Sequence, residues 1–260
     1  MIISHRHRFI FIKTEKTAGT SIELALAKVC GPEDVITAVV HLSDRELRRS
    51  LGPGYRTEQN DVVPTRFLTP LDIARAVKAG RRPRFTNHMG ARDIRRFVPR
   101  DVWDGYYKFC IERNPWDKTI SLYCWWRQLE SQWRNDPAAF RRDLGAAARG
   151  VELMISQHPV GDMTVSEFVQ SGRANLVQGY ELYTIDGEVV VDRILRFERL
   201  ADEVAEVARH LGINDLPELP RAKSGIRTPG LHYRDLLDDG DRAKIARVFA
   251  REIAMLGYEF

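Results

Sequence analysis

The chain has 260 residues, with 40 Lys plus Arg against 36 Asp plus Glu, a formal net charge of +4. That length carries one sizeable α/β core and no linker-like stretch divides it, so residues 1–260 read as a single domain. The mild basic balance lacks dense Lys/Arg blocks, which argues against a nucleic-acid tail and for an anionic small molecule or polyanion.

No apolar run approaches the ~18 residues of a membrane span, and the chain enters a strand without a signal-type core, so a cytoplasmic location is expected. Cys30, Cys110 and Cys124 are odd in number and lack C-x-x-C spacing, which supports neither disulfides nor a zinc site.

The predicted elements begin with RFIFIK (residues 8–13), a short apolar run expected as a strand buried on both faces of a parallel sheet. From Thr20 onward Ile22, Leu26 and Val29 fall at helical spacing, Thr20 and Glu23 read as a T-x-x-E capping box, and Gly31-Pro32 closes the segment. Residues 34–66 are irregular and read as a surface excursion. TPLDIARAVKAG predicts a helix with Thr69 as cap, Pro70 in first position and Gly80 as terminator. RFTNHMGARDIRRFV predicts a brief strand ending near His88 and then a helix. A strand over 106–111 runs into Arg113, and Asn114 caps a further helix that opens with Pro115. Residues 127–161 are charged and helical in character. Asp186-Gly187 reads as a tight turn between strand-like flanks, and amphipathic helices are expected over 201–211 and 241–256. Between those helices lies PELPRAKSGIRTPGLHY, an expected ordered loop able to fold over a ligand.

Two motifs carry the chemistry. In Lys16-Thr17-Ala18-Gly19-Thr20-Ser21 the lysine precedes the glycine, which is the wrong order for G-x-x-x-x-G-K-[ST]. Its physics still suits an anion: Gly19 permits close backbone approach, the helix start offers N–H groups, and Lys16, Thr20 and Ser21 add donors. In Arg113-Asn114-Pro115-Trp116, an arginine follows a strand into the crevice where open α/β sheets bind ligands, and Ser121 lies two turns on along the helix. Each motif follows a strand and opens a helix, so together they imply a ligand with two separated anionic groups.

FIKTEKTAGTS resembles the phosphosulfate loop of PAPS-dependent sulfotransferases (PAPS is 3′-phosphoadenosine 5′-phosphosulfate), and CIERNPWDKTISLY resembles their 3′-phosphate motif, R-N-P-x-D-x-x-x-S-x-Y. The likeness is to the carbohydrate, Golgi-type branch. It extends to HMGARDIRRFV, ILRFERLADEVAEVARHLGI, KSGIR, HYRDLL and the ending LGYEF. The resemblance implies an α/β, three-layer P-loop-like fold with a central, mainly parallel sheet flanked by helices. It also implies that Lys16, Thr17, Gly19, Thr20 and Ser21 hold the 5′-phosphosulfate, with Lys16 at the bridging oxygen, and that Arg113 and Ser121 hold the 3′-phosphate. Arg227, with Lys223 and Ser224, falls where the family's C-terminal loop closes over the cofactor. Ala18 departs from the glycine often seen in that loop, and no eukaryotic-type membrane anchor is present, which suggests a bacterial-type soluble relative.

The implied reaction moves the sulfuryl group of PAPS to a hydroxyl on a carbohydrate or glycoconjugate, releases adenosine 3′,5′-bisphosphate, and requires no metal. His88 is the expected base, with an ordinary pKa of ~6.5 and a comparable histidine in the carbohydrate branch. Glu23 is the rival base. At least one of Trp125, Trp126 and Trp133 is expected in the core, and an aromatic wall that stacks on an acceptor sugar is the other role open to them. His41, His158, His210 and His232 have no motif around them, and His5 with His7 reads as a solvated pair. The competing readings are a P-loop-type ATP-dependent kinase, which lacks its G-K-[ST] turn here, and a non-catalytic nucleotide- or glycan-binding module. No nucleic-acid partner is expected, the acceptor reads as a glycan or glycolipid, and the residues say nothing of oligomeric state.

Overall fold

The computed structural model describes residues 1–38, 58–220 and 232–260. Ile2–Ser4 (β1) and Phe9–Phe11 (β2) are joined by residues 5–8 alone and pair antiparallel, as so short a link dictates, since parallel neighbours need a long crossover. Helix α1 (Gly19–Val29) follows β2, and Val35–Ile36 (β3) then pairs antiparallel with the outer side of β1. Helices α2 (Pro70–Ala79), α3 (Ala91–Phe97) and α4 (Arg100–Gly105) lead to β4 (Tyr107–Glu112), which lies parallel to β2.

The long helix α5 (Pro115–Asn135) opens as its residues predict. Pro115 takes the first position, and the Asn114 side chain accepts from Trp116 N at 3.2 Å and Asp117 N at 3.3 Å. Helices α6 (Pro137–Leu144), α7 (Ala148–Gln157) and α8 (Val165–Gln170) follow, then the short α9 (Tyr180–Tyr183). Thr184–Ile185 (β5) and Glu188–Val189 (β6) form the expected hairpin, with Asp186 at φ 55° and Gly187 at φ 86°. Arg193–Arg196 (β7) then lies parallel to β4, ahead of α10 (Leu200–His210).

The main sheet therefore runs β3-β1-β2-β4-β7. Two of its four pairings are antiparallel, and its strands have two to six residues. This overturns the expected three-layer, P-loop-like fold with a mainly parallel sheet: the architecture is a small mixed sheet among many helices. The two residues of β3 and the three of β1 are too short to show a period, so the antiparallel half left no pattern to read.

Strand alternation sends side chains to two cores. Ile2, Phe9, Phe11, Phe109, Ile111 and Leu195 pack with Ile22 and Leu26 of α1 and Val204 and Val207 of α10. Ile3, Ile10, Ile12 and Cys110 pack on the opposite side with Ile94 of α3, Trp103 of α4 and Tyr183. A third cluster joins Trp116, Ile120, Tyr123 and Trp126 of α5 to Phe168, Ile245 and Phe249.

Three local expectations are corrected. The strand predicted to end near His88 is only an isolated bridge between Val62 and Arg84, and His88 sits in the turn that follows. The helix expected over 241–256 is two helices, Asp239–Val248 and Ala250–Leu256, which meet at Phe249. The Thr20–Glu23 capping box does not form: α1 begins after Ala18 with no side-chain cap, and Glu23 lies inside the helix bound to other groups. By contrast Thr69 caps α2 through a capping box with Asp72, and Gly80 ends it at φ 62°, as expected. Among the described residues no helix is long and apolar enough to cross a membrane.

Candidate functional site

The parallel strands β2, β4 and β7 release their chain at one edge, and the candidate residues gather there. After β2, Ile12 N still reaches Phe109 O of β4 at 2.9 Å, so the loop that follows starts in register with the sheet. Thr14 anchors it: its hydroxyl bonds the Ile111 carbonyl and lies 3.0 Å from the Thr17 hydroxyl, which in turn donates to Thr14 O at 3.2 Å. Thr17 is therefore turned inward and shapes the loop. Lys16 and Ala18 sit at φ 59° and 58°, the left-handed region that L-residues adopt at a cost, and α1 starts immediately afterwards. Successive left- and right-handed residues at a helix start turn backbone N–H groups toward one point, an anion-binding geometry. A glycine in place of Ala18 would take that conformation without strain.

Arg113 leaves the end of β4 and meets this loop. Its NH1 donates to the Lys16 carbonyl at 3.1 Å, although 97 positions separate the two residues. Nε donates to Asp117 Oδ2 at 2.7 Å, NH2 lies 2.5 Å from the same oxygen, and the guanidinium stacks 4.1 Å from the Phe197 ring beyond β7. Asn114 N donates to Glu198 Oε1 at 2.6 Å, so the ends of β4 and β7 are tied together. Asp117, Ser121 and Trp125 recur every four residues along α5, continuing the spacing from Arg113 just before it, and are half-buried where the other early positions of the helix are mostly buried. This stripe is the open face of α5, and the Lys16 ammonium lies on it, 4.9 Å from the Trp125 ring centre. Trp126 is core, and Trp133 packs against the cluster of Leu129 and Phe140.

His88 joins the same edge through the backbone. Its Nδ1 lies 2.9 Å from the Lys13 carbonyl, which can only accept, so Nδ1 carries the proton and Nε2 keeps its lone pair. Burial holds the imidazole down at about 4, with the Lys13 charge adding to the effect. The ring is therefore neutral at pH 7.

Lys13 was not singled out from the sequence, and it organises the loop. Its buried ammonium binds Glu23 Oε2 at 2.6 Å and Asn87 Oδ1 at 3.2 Å. Its stem crosses the start of α1 so closely that a Cβ on Gly19 would lie 2.7 Å from both Cγ and Cε. Gly19 thus makes room for the Lys13 stem on its Cα side. The signal was legible in principle, since a charge at the end of an apolar strand needs a buried partner, and Glu23 is the acidic residue that faces inward from α1. Glu23 also binds the Met1 amino group, so as the rival base it is held by two cations.

Other groups tune this edge. Glu15 is pushed up from its ordinary range by burial, against the pull of Lys118 and Lys16. Behind Arg113 a fully buried pair, Lys118 Nζ to Glu112 Oε2 at 2.7 Å, fixes the end of β4 against α5. Lys223, Ser224 and Arg227 lie outside the described residues, as does His41. His5 is exposed and bonds Tyr106 Oη at 2.9 Å, while His7 bonds Val29 O at 3.1 Å.

No family model matches the chain, and no solved structure matches it. An uncharacterized protein of Archaeoglobus fulgidus is 28% identical over 123 residues, 46% of this chain and 79% of that protein.

Proposed function

We propose that the chain is a PAPS-dependent sulfotransferase acting on a hydroxylated acceptor, with a glycan or glycolipid as the favoured class. The observation that supports it best is the Arg113–Lys16 contact, which puts the two anion motifs side by side at one sheet edge. The residues fit a doubly anionic nucleotide. The start of α1 has no side-chain cap, and a guanidinium has five N–H donors, of which the bonds to Asp117 and Lys16 use three.

In this reading the start of α1 with Lys16, Thr20 and Ser21 holds the 5′ end, while Arg113 and Ser121 hold the 3′-phosphate. When bound, PAPS supplies an activated sulfuryl group that transfers to the acceptor oxygen as the bond to the 5′-phosphate breaks. His88 Nε2 takes the acceptor's hydroxyl proton, and Nδ1 stays fixed by the Lys13 carbonyl. Lys16 carries the charge that balances the negative charge growing on the departing phosphate oxygen, and its ammonium slides off Trp125 to do so. Thr17 and Gly19 act indirectly, by holding the loop and by admitting Lys13. A cytoplasmic location accords with this reading.

Calorimetric titration with adenosine 3′,5′-bisphosphate, and separately with ATP and Mg²⁺, tests the proposal. Preference for the bisphosphate is expected, weakened in Arg113→Ala and Ser121→Ala. Loss of a charged hydrogen bond of about 1.5–3 kcal/mol corresponds to roughly 10- to 100-fold in affinity for the arginine variant. Tighter binding of ATP with Mg²⁺ would favour a kinase instead and overturn the assignment.

A further inference from the structure

We infer that Lys13 is a positioning residue for His88, fastening the turn that carries the imidazole to the anion loop. The inference rests on the reading of His88 as the base. Lys13 grips that turn twice: its carbonyl receives His88 Nδ1 at 2.9 Å, and its ammonium binds the side chain of the preceding Asn87 at 3.2 Å. The same ammonium holds Glu23 of α1 at 2.6 Å, and the stem lies against Gly19. One side chain therefore spans three elements: the end of β2, the start of α1 and the His88 turn. An apolar residue would fill this space without the desolvation that a buried lysine and glutamate incur, so packing alone does not account for the pair.

The charge has a second consequence. The groups facing His88 are Lys13 and the Met1 amino group, which oppose a proton on the ring, and Glu23, which favours one. Burial acts in the same direction as the two cations. Of the two cations Lys13 has the larger effect, and with Glu23 bound between two ammonium groups its carboxylate serves as their counter-ion. The ring is left neutral, its Nε2 lone pair available and its orientation set from the Nδ1 side.

Imidazole titration by NMR tests this without any donor substrate, in wild type, Lys13→Met, Lys13→Arg and the double variant Lys13→Met/Glu23→Gln. Lys13→Met keeps the stem and removes the charge, and the His88 midpoint is expected to rise by about one pH unit. The double variant removes both buried charges, which keeps the test open if the single variant fails to fold, and a smaller upward shift is expected. Lys13→Arg keeps the charge and the low midpoint. In sulfuryl transfer, Lys13→Met is expected to lower kcat about tenfold with KM for PAPS unchanged, because the base and not the donor loses its anchor. Unchanged midpoints in both charge-removed variants, or a rise in KM for PAPS with kcat unchanged, would overturn the inference. Failure of the wild type to bind adenosine 3′,5′-bisphosphate would instead overturn the sulfotransferase reading and leave the titration result standing.

Discussion

His88 makes folding stability depend on pH in a way that can be worked out in advance. The imidazole titrates at about 4 in the folded chain, against ~6.5 when unfolded, so between those values only the unfolded chain takes up the proton. Stability contributed by the neutral ring is complete above pH 7 and is lost as pH falls through 6.5 toward 4. Linkage gives a loss of about 2 kcal/mol between pH 7.5 and pH 5, rising to about 3 kcal/mol near pH 4. Carboxylates titrate in the same range, so the assay is a difference: urea unfolding of wild type and His88→Gln across pH 5 to 7.5. Removing the histidine removes its protons from both states and cancels the background. The stability gap between the two proteins should shrink, or reverse in favour of His88→Gln, by about 2 kcal/mol on acidification. A gap that stays constant with pH would show that the ring takes up a proton as readily folded as unfolded, and the burial argument would fail.

Three further outcomes follow from local geometry. Ala18→Gly relieves a left-handed alanine at φ 58° and should stabilise the chain by about 0.5–1 kcal/mol in urea unfolding; no gain would mean the strain is absent in solution. Gly179→Ala puts a Cβ 1.9 Å from Glu112 Oε1 and 3.2 Å from Lys118 Nζ, which forces the buried pair apart. A loss of about 3 kcal/mol or more is expected by thermal unfolding, and a loss under 1 kcal/mol would refute the tight approach. Because Lys16 lies on Trp125, adenosine 3′,5′-bisphosphate should change the intrinsic tryptophan fluorescence as the ammonium leaves the ring, and Trp125→Phe should abolish the change while binding persists.

The chain's local chemistry was legible wherever a short stretch decides its own conformation. Thr69 with Pro70 and Gly80, Asn114 with Pro115, and Asp186-Gly187 each bring their own hydrogen-bonding or dihedral preference, and each forms the expected cap or turn. Strand-to-helix order around Lys16 and Arg113 could be read for the same reason. The three-residue β1, the two-residue β3 and the sheet's mixed direction could not, because pairing partners lie far apart in sequence and so short a strand shows no period.

Glu23 shows the same limit within the candidate site. By sequence it satisfies a capping box with Thr20, a bond worth about 1 kcal/mol. In the fold it meets two ammonium groups in a buried space, and a buried carboxylate must be compensated first. The sequence alone thus determined which residue types stand at the strand ends: a lysine, an arginine and hydrogen-bonding turns suited to anions. Tertiary structure alone decided that Arg113 touches Lys16, that the Lys13 stem lies against Gly19, and that His88 is held neutral. Charges find their partners only through packing, where desolvation makes each pairing far stronger than any local preference.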